Sequence, residues 1–190
     1  MTRPPGATIG LATAGMLAAW LAAGACAAQE LPAPTAPTPE HALLAQFAGD
    51  WNAESKVTMP GEEPMIITGT ETTRMLGGLW MIAEGRSRIM DMDVESLMTL
   101  GYDGTKRKYV GTFVCTGQDF LWEYVGSFDD GGRKLTLEST GPSMTDPAVR
   151  ATYRETLELV DADHKVFTSS VQDADGQWHT IVTVDYRRMK

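Results

Sequence analysis

The triplet Gly49-Asp50-Trp51 stands between a short helix-like segment and a long run of strand-like segments. Before it, the apolar residues of His41–Ala48 recur at helical spacing, which predicts one short helix that Gly49 would end. After it, the chain finishes on the aromatic and basic residues Tyr186-Arg187-Arg188. A tryptophan on the first strand and an arginine on the last can pin the ends of a small barrel together. We therefore predict a structural closure in which the guanidinium of Arg188 stacks on the indole of Trp51.

The sequence after the triplet has the pattern of short strands and tight turns. Pairs such as Pro60-Gly61 and Asp103-Gly104 separate the apolar runs, and these residue types favour turn geometry. About ten strands, mostly joined by short hairpins, predict a mainly β fold: a single antiparallel up-and-down β-barrel with a short N-terminal helix. Barrel closure removes exposed sheet edges, whereas the alternative, a two-sheet sandwich, needs longer crossovers than this sequence offers. The predicted strands are Trp51–Met59, Met65–Met75, Leu79–Ile89, Val94–Tyr102, Lys108–Cys115, Phe120–Phe128, Lys134–Ser139, Ala151–Leu159, Lys165–Val171 and His179–Met189.

The N-terminal segment has the composition of an export signal. Arg3 is the only charged residue before Glu30, and the Ala-rich apolar stretch between them ends in small residues. We predict a signal peptide at residues 1–27, a Pro/Ala/Thr-rich linker at 28–39 and the barrel domain at 40–190. Cleavage before Ala28 suits ordinary export, whereas cleavage before Cys26 would leave a lipidated cysteine, and both alternatives stay open. The expected location is periplasmic or secreted, with membrane attachment only through a lipid at Cys26.

The charge of the chain limits its possible partners, and its cysteine content limits how the fold can be stabilised. The formal net charge is −9 and there is no basic run, which argues against binding to nucleic acid. Cys115 is the only cysteine of the predicted domain, so the core must hold the fold without an internal disulfide. The segment Asp173-Ala174-Asp175-Gly176 has the start of a calcium loop but not its closing glutamate, and it is better explained as a hairpin turn. No metal site is predicted.

The order of the motifs resembles a known family. A Gly-x-Trp after a short helix, with a basic residue on the final strand, is similar to the lipocalin and fatty-acid-binding superfamily. The closer resemblance is to a bacterial family of uncharacterised secreted and cytoplasmic proteins, domain of unknown function 1579, over about residues 40–190. It implies a lipocalin-like barrel and no assigned activity. The matching residues are Gly49-Asp50-Trp51, Pro60-Gly61, Gly69-Thr70-Glu71, Leu76-Gly77-Gly78, Gly101-Tyr102-Asp103 with Lys108-Tyr109, and Tyr186-Arg187-Arg188.

Two sets of polar residues are candidates for ligand binding. Alternation in the last strand places Val182, Val184, Tyr186 and Arg188 on one face, which is expected to point inward. Tyr186 and Arg188 could then clamp a ligand carboxylate, as an alternative to the closing role of Arg188. The second set, Glu84, Arg86 and Arg88, shares one face of a strand and would line a polar half of a cavity, unless that face is solvated.

The leading functional hypothesis is a binding barrel for a small apolar or amphipathic molecule, without a cofactor. An enzyme, an isomerase or hydrolase acting through Glu84 or Glu123, is one alternative. A haem-binding barrel is another, but it would need an inward histidine, and none of His41, His164 and His179 is placed inward by the pattern. A structural or interaction domain that works through its outer face is the third.

Overall fold

The computed structural model describes residues 33–59, 61, 63–144 and 146–190. The predicted signal peptide, both cleavage sites and the first part of the linker therefore lie outside the described residues. Thr35–Lys190 forms one compact unit. Among the described residues, no helix combines the length and the apolar character needed to span a bilayer.

The described chain folds into one helix followed by a closed barrel of ten antiparallel strands. Each strand pairs with the next in sequence, and the last pairs with the first, so the predicted up-and-down barrel is confirmed. The elements are α1 (Pro39–Ala45), β1 (Gly49–Val57), β2 (Met65–Leu76), β3 (Trp80–Ile89), β4 (Met92–Asp103), β5 (Lys108–Cys115), β6 (Trp122–Phe128), β7 (Lys134–Pro142), β8 (Arg150–Asp161), β9 (His164–Gln172) and β10 (Trp178–Arg188).

Gly49 does not end the helix, and that prediction is wrong. The helix α1 ends at Ala45, and Gly49 is the first residue of β1, with φ of 138°. A Cβ atom at this position would lie 2.0 Å from Nη1 of Arg188. The glycine is therefore required because its backbone conformation disfavours side chains and because the Arg188 guanidinium occupies the space beside it.

The helix covers one end of the barrel, which we call the floor. Leu44 and Phe47 are fully buried there, and the phenolic hydroxyl of Tyr109 donates to the carbonyl oxygen of Glu40 at 2.9 Å. The opposite end, which we call the mouth, carries the β1–β2, β3–β4, β5–β6, β7–β8 and β9–β10 connections. The buried apolar cluster at the floor comprises Leu44, Phe47, Met81, Ala83, Leu100, Tyr109, Tyr124, Leu135, Leu137 and Leu157.

The last strand follows the predicted sidedness with one irregularity. Tyr186 pairs with Ala53 of β1 and with Lys165 of β9, and Val184 on the same face is buried. The register between β9 and β10 shifts between Thr180 and Val182, so the intervening Ile181 is also buried. The bulge thus adds one apolar side chain to the interior near the mouth.

Candidate functional site

The pair Trp51 and Arg188 lies at the floor. Arg188 is opposite Trp51 in the β1–β10 ladder, and its guanidinium carbon lies 4.1 Å from the centroid of the indole. Its Nη1 donates to the carbonyl oxygen of Ala48 at 2.9 Å and its Nε to that of Ala162 at 2.8 Å. Through these hydrogen bonds the guanidinium joins the last strand to the segments before β1 and after β8. Few of its N–H groups then remain to bind a ligand carboxylate.

A buried lysine, which the sequence did not single out, lies beside this closure. Lys165 is 1% exposed, and its Nζ lies 2.5 Å from Oε1 of Glu71. The same Nζ is 4.6 Å from the ring centroids of both Trp51 and Tyr186. Burial lowers the pKa of Lys165, and the charge of Glu71 opposes that effect. The pKa of Tyr186 is raised well above its usual value, first by burial and then by the nearby charge of Glu71. Tyr186 thus belongs to an internal ion-pair cluster.

The second predicted set does not line the interior. The side chains of Glu84, Arg86 and Arg88 are 56%, 78% and 61% exposed. On β3 the residues that point inward are Met81 and Ala83, which are buried, so the even-numbered positions face solvent. The placement of this set inside a cavity is therefore wrong, and the solvated alternative describes it. Each forms an exposed ion pair, with Arg74, Glu95 and Asp93 respectively.

Glu155 is the buried carboxyl group that the sequence did not reveal. It points inward from β8, is 3% exposed and accepts hydrogen bonds from Ser169 Oγ at 3.1 Å and Ser139 Oγ at 3.4 Å. Burial raises its pKa to about 7, because the loss of hydration outweighs the two hydroxyl bonds. Glu123, the other glutamate considered with Glu84 for catalysis, is exposed. The buried carboxyl whose pKa is raised is therefore Glu155, whereas the side chains of Glu84 and Glu123 are exposed.

Two tyrosines lie near Glu155, and a thiol lies near one of them, Tyr124. Burial, and then the charge of Glu155, raise the pKa of Tyr124 and of Tyr153 above the usual value. The hydroxyl of Tyr153 donates to the carbonyl oxygen of Pro142 at 2.6 Å. Cys115 is a half-buried free thiol on β5. Within the described part of the chain, no three His, Cys, Asp or Glu side chains are grouped so that they could hold a metal ion.

The inner wall near the mouth differs from the wall near the floor. At the floor the inward side chains of Trp51, Met81, Leu100 and Leu135 are fully buried. Towards the mouth, the inward positions keep partial solvent exposure, and several of them on β1–β4 are small. These half-buried inward residues are Ala53, Ser55, Gly69, Gly85, Ser87, Ser96, Met98, Phe113, Cys115, Trp122, Phe167 and Val182.

The shortest ladder of the barrel is the one between β6 and β7. Their ladder runs only from Phe128 paired with Leu135 to Val125 paired with Glu138. Beyond it, towards the mouth, an outer groove of about 420 Å³ follows the strands, and Ser139 is among its lining residues. The indole of Trp122 closes this region, since a Cβ atom on Gly141 would lie 2.2 Å from the ring.

The three histidines are engaged away from this wall. The backbone N–H of Thr38 donates to Nδ1 of His41, which packs in α1 against Tyr102. His164 lies 2.7 Å from Asp185, and the exposed His179 lies 2.6 Å from Asp173. Asp173 also accepts the backbone N–H groups of the β9–β10 turn, as expected for a hairpin.

Fold and site together define a closed ten-stranded barrel with a helix-covered floor and a partly exposed inner wall. Among the described residues, two inward carboxyls lie within it, Glu71 beside a lysine and Glu155 beside two serine hydroxyls. The chain belongs to the family described as "Protein of unknown function (DUF1579)", whose model matches residues 36–188. Comparison with functionally curated proteins gave no match.

Similar solved structures agree with the fold. The crystal structure of Rv2717c from M. tuberculosis has a TM-score of 0.57 and 12% identity, covering 82% of this chain and 100% of that chain. The S-type phycobiliprotein lyase CPES from Guillardia theta has a TM-score of 0.52 and 12% identity, covering 83% of this chain and 99% of that chain. At this level of identity, both show a shared lipocalin-like barrel and nothing further.

Proposed function

We propose that the mouth half of the barrel binds a small apolar or amphipathic molecule. The proposal rests on a difference in solvent exposure along the inner wall. Inward-pointing residues are buried at the floor and partly exposed towards the mouth. Inner positions that solvent reaches are positions that a ligand can reach. A concave, mainly apolar wall with a few polar groups is the usual form of a small-molecule site.

The chemistry of the wall suits a molecule with both apolar and polar parts. Met98, Phe113, Trp122 and Phe167 supply apolar surface for the body of a ligand, and burial of that surface favours binding. Serine hydroxyls and the Glu155 carboxyl supply the polar contacts. Apart from Glu155, the accessible wall carries few charges, so a ligand with several charged groups would lose more hydration than it regains.

Apolar side chains also surround the mouth. Met90, at the tip of the β3–β4 hairpin, is 80% exposed and has φ of 54°, a conformation that methionine rarely adopts. Its neighbour Met92 is exposed as well, as are Met65 and Ile66 on β2. An apolar rim of this kind favours the approach of an apolar ligand, because contact between them releases water from both apolar surfaces.

Nile red, an uncharged apolar fluorophore, provides a direct test on the protein isolated after expression of the full chain. We expect saturable binding with a blue shift of the emission. Ser96→Phe would fill the inner wall and weaken binding by about tenfold or more. Leu97→Phe adds a phenyl ring at the next position, which faces outward and is exposed, and should leave the affinity unchanged.

A circular-dichroism melt of both variants separates loss of the site from loss of the fold, and Ser55→Phe offers a second obstruction on the opposite side of β2. Saturable binding that Ser96→Phe and Ser55→Phe both leave intact would place the site outside the barrel. An absence of saturable binding to the wild-type protein would contradict the proposal.

A second candidate function is proton transfer to or from a bound molecule. Glu155 favours it, since a buried carboxyl with a pKa of about 7 is suited to act as an acid or a base near neutral pH. The probe 5-nitrobenzisoxazole opens its ring when a base removes its C3 proton, which breaks the N–O bond. A rate above the buffer background that Glu155→Gln removes would support this candidate, and equal rates for both proteins would reject it.

A further inference from the structure

Among the described residues, the interior contains the carboxyl groups of Glu71 and Glu155, which have different electrostatic surroundings. Glu71 has a cation beside it, because Lys165 Nζ lies 2.5 Å from its Oε1. Glu155 has no charged partner in the described structure, and the groups that donate to it are the neutral hydroxyls of Ser139 and Ser169. The two glutamates therefore differ in what they can still bind.

The elements packed against Glu155 present neutral groups. β7 contributes Ser139, β9 contributes Ser169, and β6 contributes Tyr124, whose raised pKa keeps it neutral at physiological pH. On β8 itself, Tyr153 is also held neutral. When Glu155 is ionised, these neutral groups only partly replace the hydration that the carboxylate has lost. A cation from outside the chain would therefore be strongly attracted to the carboxylate.

Glu155 lies between the apolar cluster at the floor and the accessible wall towards the mouth, so it forms the polar end of the proposed site. On β8, Leu157 follows it towards the floor and belongs to the buried apolar cluster. Towards the mouth lie the half-buried inward residues Phe113 and Trp122. A molecule whose apolar part lies against these rings would place a terminal polar group beside the carboxyl.

A short path also connects Glu155 with the outside of the barrel. Ser139 donates to Glu155 and lines the outer groove where the β6–β7 ladder has ended. At this height the Trp122 indole packs on Gly141, and its Nε1–H donates to Oε1 of Gln118 at 2.9 Å. The ladder has ended here, so displacement of this ring would break no β6–β7 ladder hydrogen bond.

We propose that Glu155, with Ser139 and Ser169, binds the ammonium or another cationic N–H group of an amphipathic amine whose apolar part lies in the mouth half. This inference rests on the proposed ligand-binding function and specifies the class of ligand. The amine donates a charge-assisted hydrogen bond to the carboxylate, and the serine hydroxyls keep the carboxylate oriented.

The test compares two matched probes, octylamine and octan-1-ol, by isothermal titration calorimetry at pH 8 and 150 mM salt, which screens attraction to the acidic surface. We expect octylamine to bind about tenfold more tightly than octan-1-ol, as a charge-assisted hydrogen bond would provide. Glu155→Gln should abolish this preference while leaving the affinity for octan-1-ol within about twofold. Glu54→Gln removes an exposed carboxyl from β1 and should retain the preference.

The pH dependence supplies an independent readout. Because the raised pKa of Glu155 leaves it largely protonated at pH 6, the preference for octylamine should grow from pH 6 to pH 8 in the wild-type protein. The affinity for octan-1-ol should stay constant over that range.

The outcomes separate the two proposals. Octan-1-ol that binds as tightly as octylamine would overturn the amine inference and leave the ligand-binding function standing. A preference for octylamine that survives in Glu155→Gln would also overturn it. Failure of both probes and of Nile red to bind would overturn the proposed function and this inference together.

Discussion

At the scale of single residues, the interior of this barrel shows that the neighbouring groups determine the protonation of an inward-pointing glutamate. Glu71 and Glu155 have the same chemical group and both point inward. A buried lysine neutralises the first, whereas two serine hydroxyls leave the second with a pKa of about 7. The difference arises because hydroxyl dipoles compensate a buried charge less completely than a cation does.

Trp51→Ala should lower the free energy of unfolding by roughly 3–5 kcal/mol, because the indole is fully buried and its removal leaves a cavity. The carbonyl oxygen of Phe47 also loses the hydrogen bond that the indole Nε1–H donates to it. Urea denaturation followed by circular dichroism measures the change. An unchanged midpoint would show that the floor does not depend on the indole.

Breaking the internal ion pair should also be costly. Lys165→Met should destabilise the fold by about 3–5 kcal/mol, since it leaves the Glu71 carboxylate in the interior without its cation. The double variant Lys165→Met/Glu71→Gln should recover part of that loss because no buried charge remains. A double variant as unstable as the sum of both single variants would show that the two side chains do not act as a pair.

Glu155 makes stability depend on pH in a predictable direction. Its pKa is raised above its usual value of 4.5 to about 7, so the folded state binds the proton more tightly than the unfolded state does. The resulting stabilisation is fully present below pH 4.5 and is lost as the pH rises through 7. Relative to Glu155→Gln, the wild-type protein should lose about 3 kcal/mol between pH 4 and pH 8. Urea titrations of both proteins that stay parallel across this range would contradict the assigned shift.

At the scale of elements, the junction between α1 and β1 is what closes the floor. Gly49 allows the chain to turn into β1 while the Arg188 guanidinium lies against it. Phe47 and Leu44, just before the turn, fill the end of the barrel. The helix is short, so its position depends on this packing more than on its own helical propensity.

Gly49→Ala should lower the melting temperature, because the methyl group meets Nη1 of Arg188 and the backbone angle is unfavourable for alanine. We expect a loss of about 1–3 kcal/mol. Gly104→Ala is the matched control, since a Cβ atom there would meet no heavy atom within 4 Å. Equal melting temperatures for the two variants would show that the Arg188 packing tolerates a side chain at position 49.

At the scale of the whole molecule, the barrel is divided into a packed half and an accessible half. The helix and the largest buried side chains lie at the floor, while the partly exposed inner wall lies towards the mouth. The packing that stabilises the fold and the proposed binding site thus lie at different ends, so we expect substitutions near the mouth to change binding with little effect on the fold.

Export of the protein remains a prediction from residues 1–27. When the full chain is expressed with its own N-terminus in a bacterial host, the mature protein should begin at Ala28, or at a lipidated Cys26. Intact mass and cell fractionation distinguish these two forms, and Cys26→Ser should abolish membrane attachment only in the second. Recovery of the unprocessed chain from the cytoplasm would contradict both.

Local patterns in the sequence are sufficient to predict the barrel. Strand period and turn chemistry depend on neighbouring residues, so the ten strands and their antiparallel order follow from the sequence alone. The boundaries of elements are harder to predict. A glycine after an apolar helical segment often ends the helix, but at Gly49 the requirement for glycine comes from Arg188, far away in the sequence.

The candidate site could not be predicted in the same way. Alternation shows that Glu84, Arg86 and Arg88 share one face of β3, but both faces of that strand carry apolar residues. Only the closed barrel showed that Met81 and Ala83 point inward.

The sequence by itself determined that this chain forms an antiparallel barrel whose first and last strands meet, since those features follow from local periodicity and turn residues. Only the tertiary structure decided that Lys165 neutralises Glu71, that no cation among the described residues pairs with Glu155, and that the wall near the mouth stays partly exposed. The physical reason is that burial and pairing depend on the register between strands and on barrel closure, which bring together residues from distant parts of the chain.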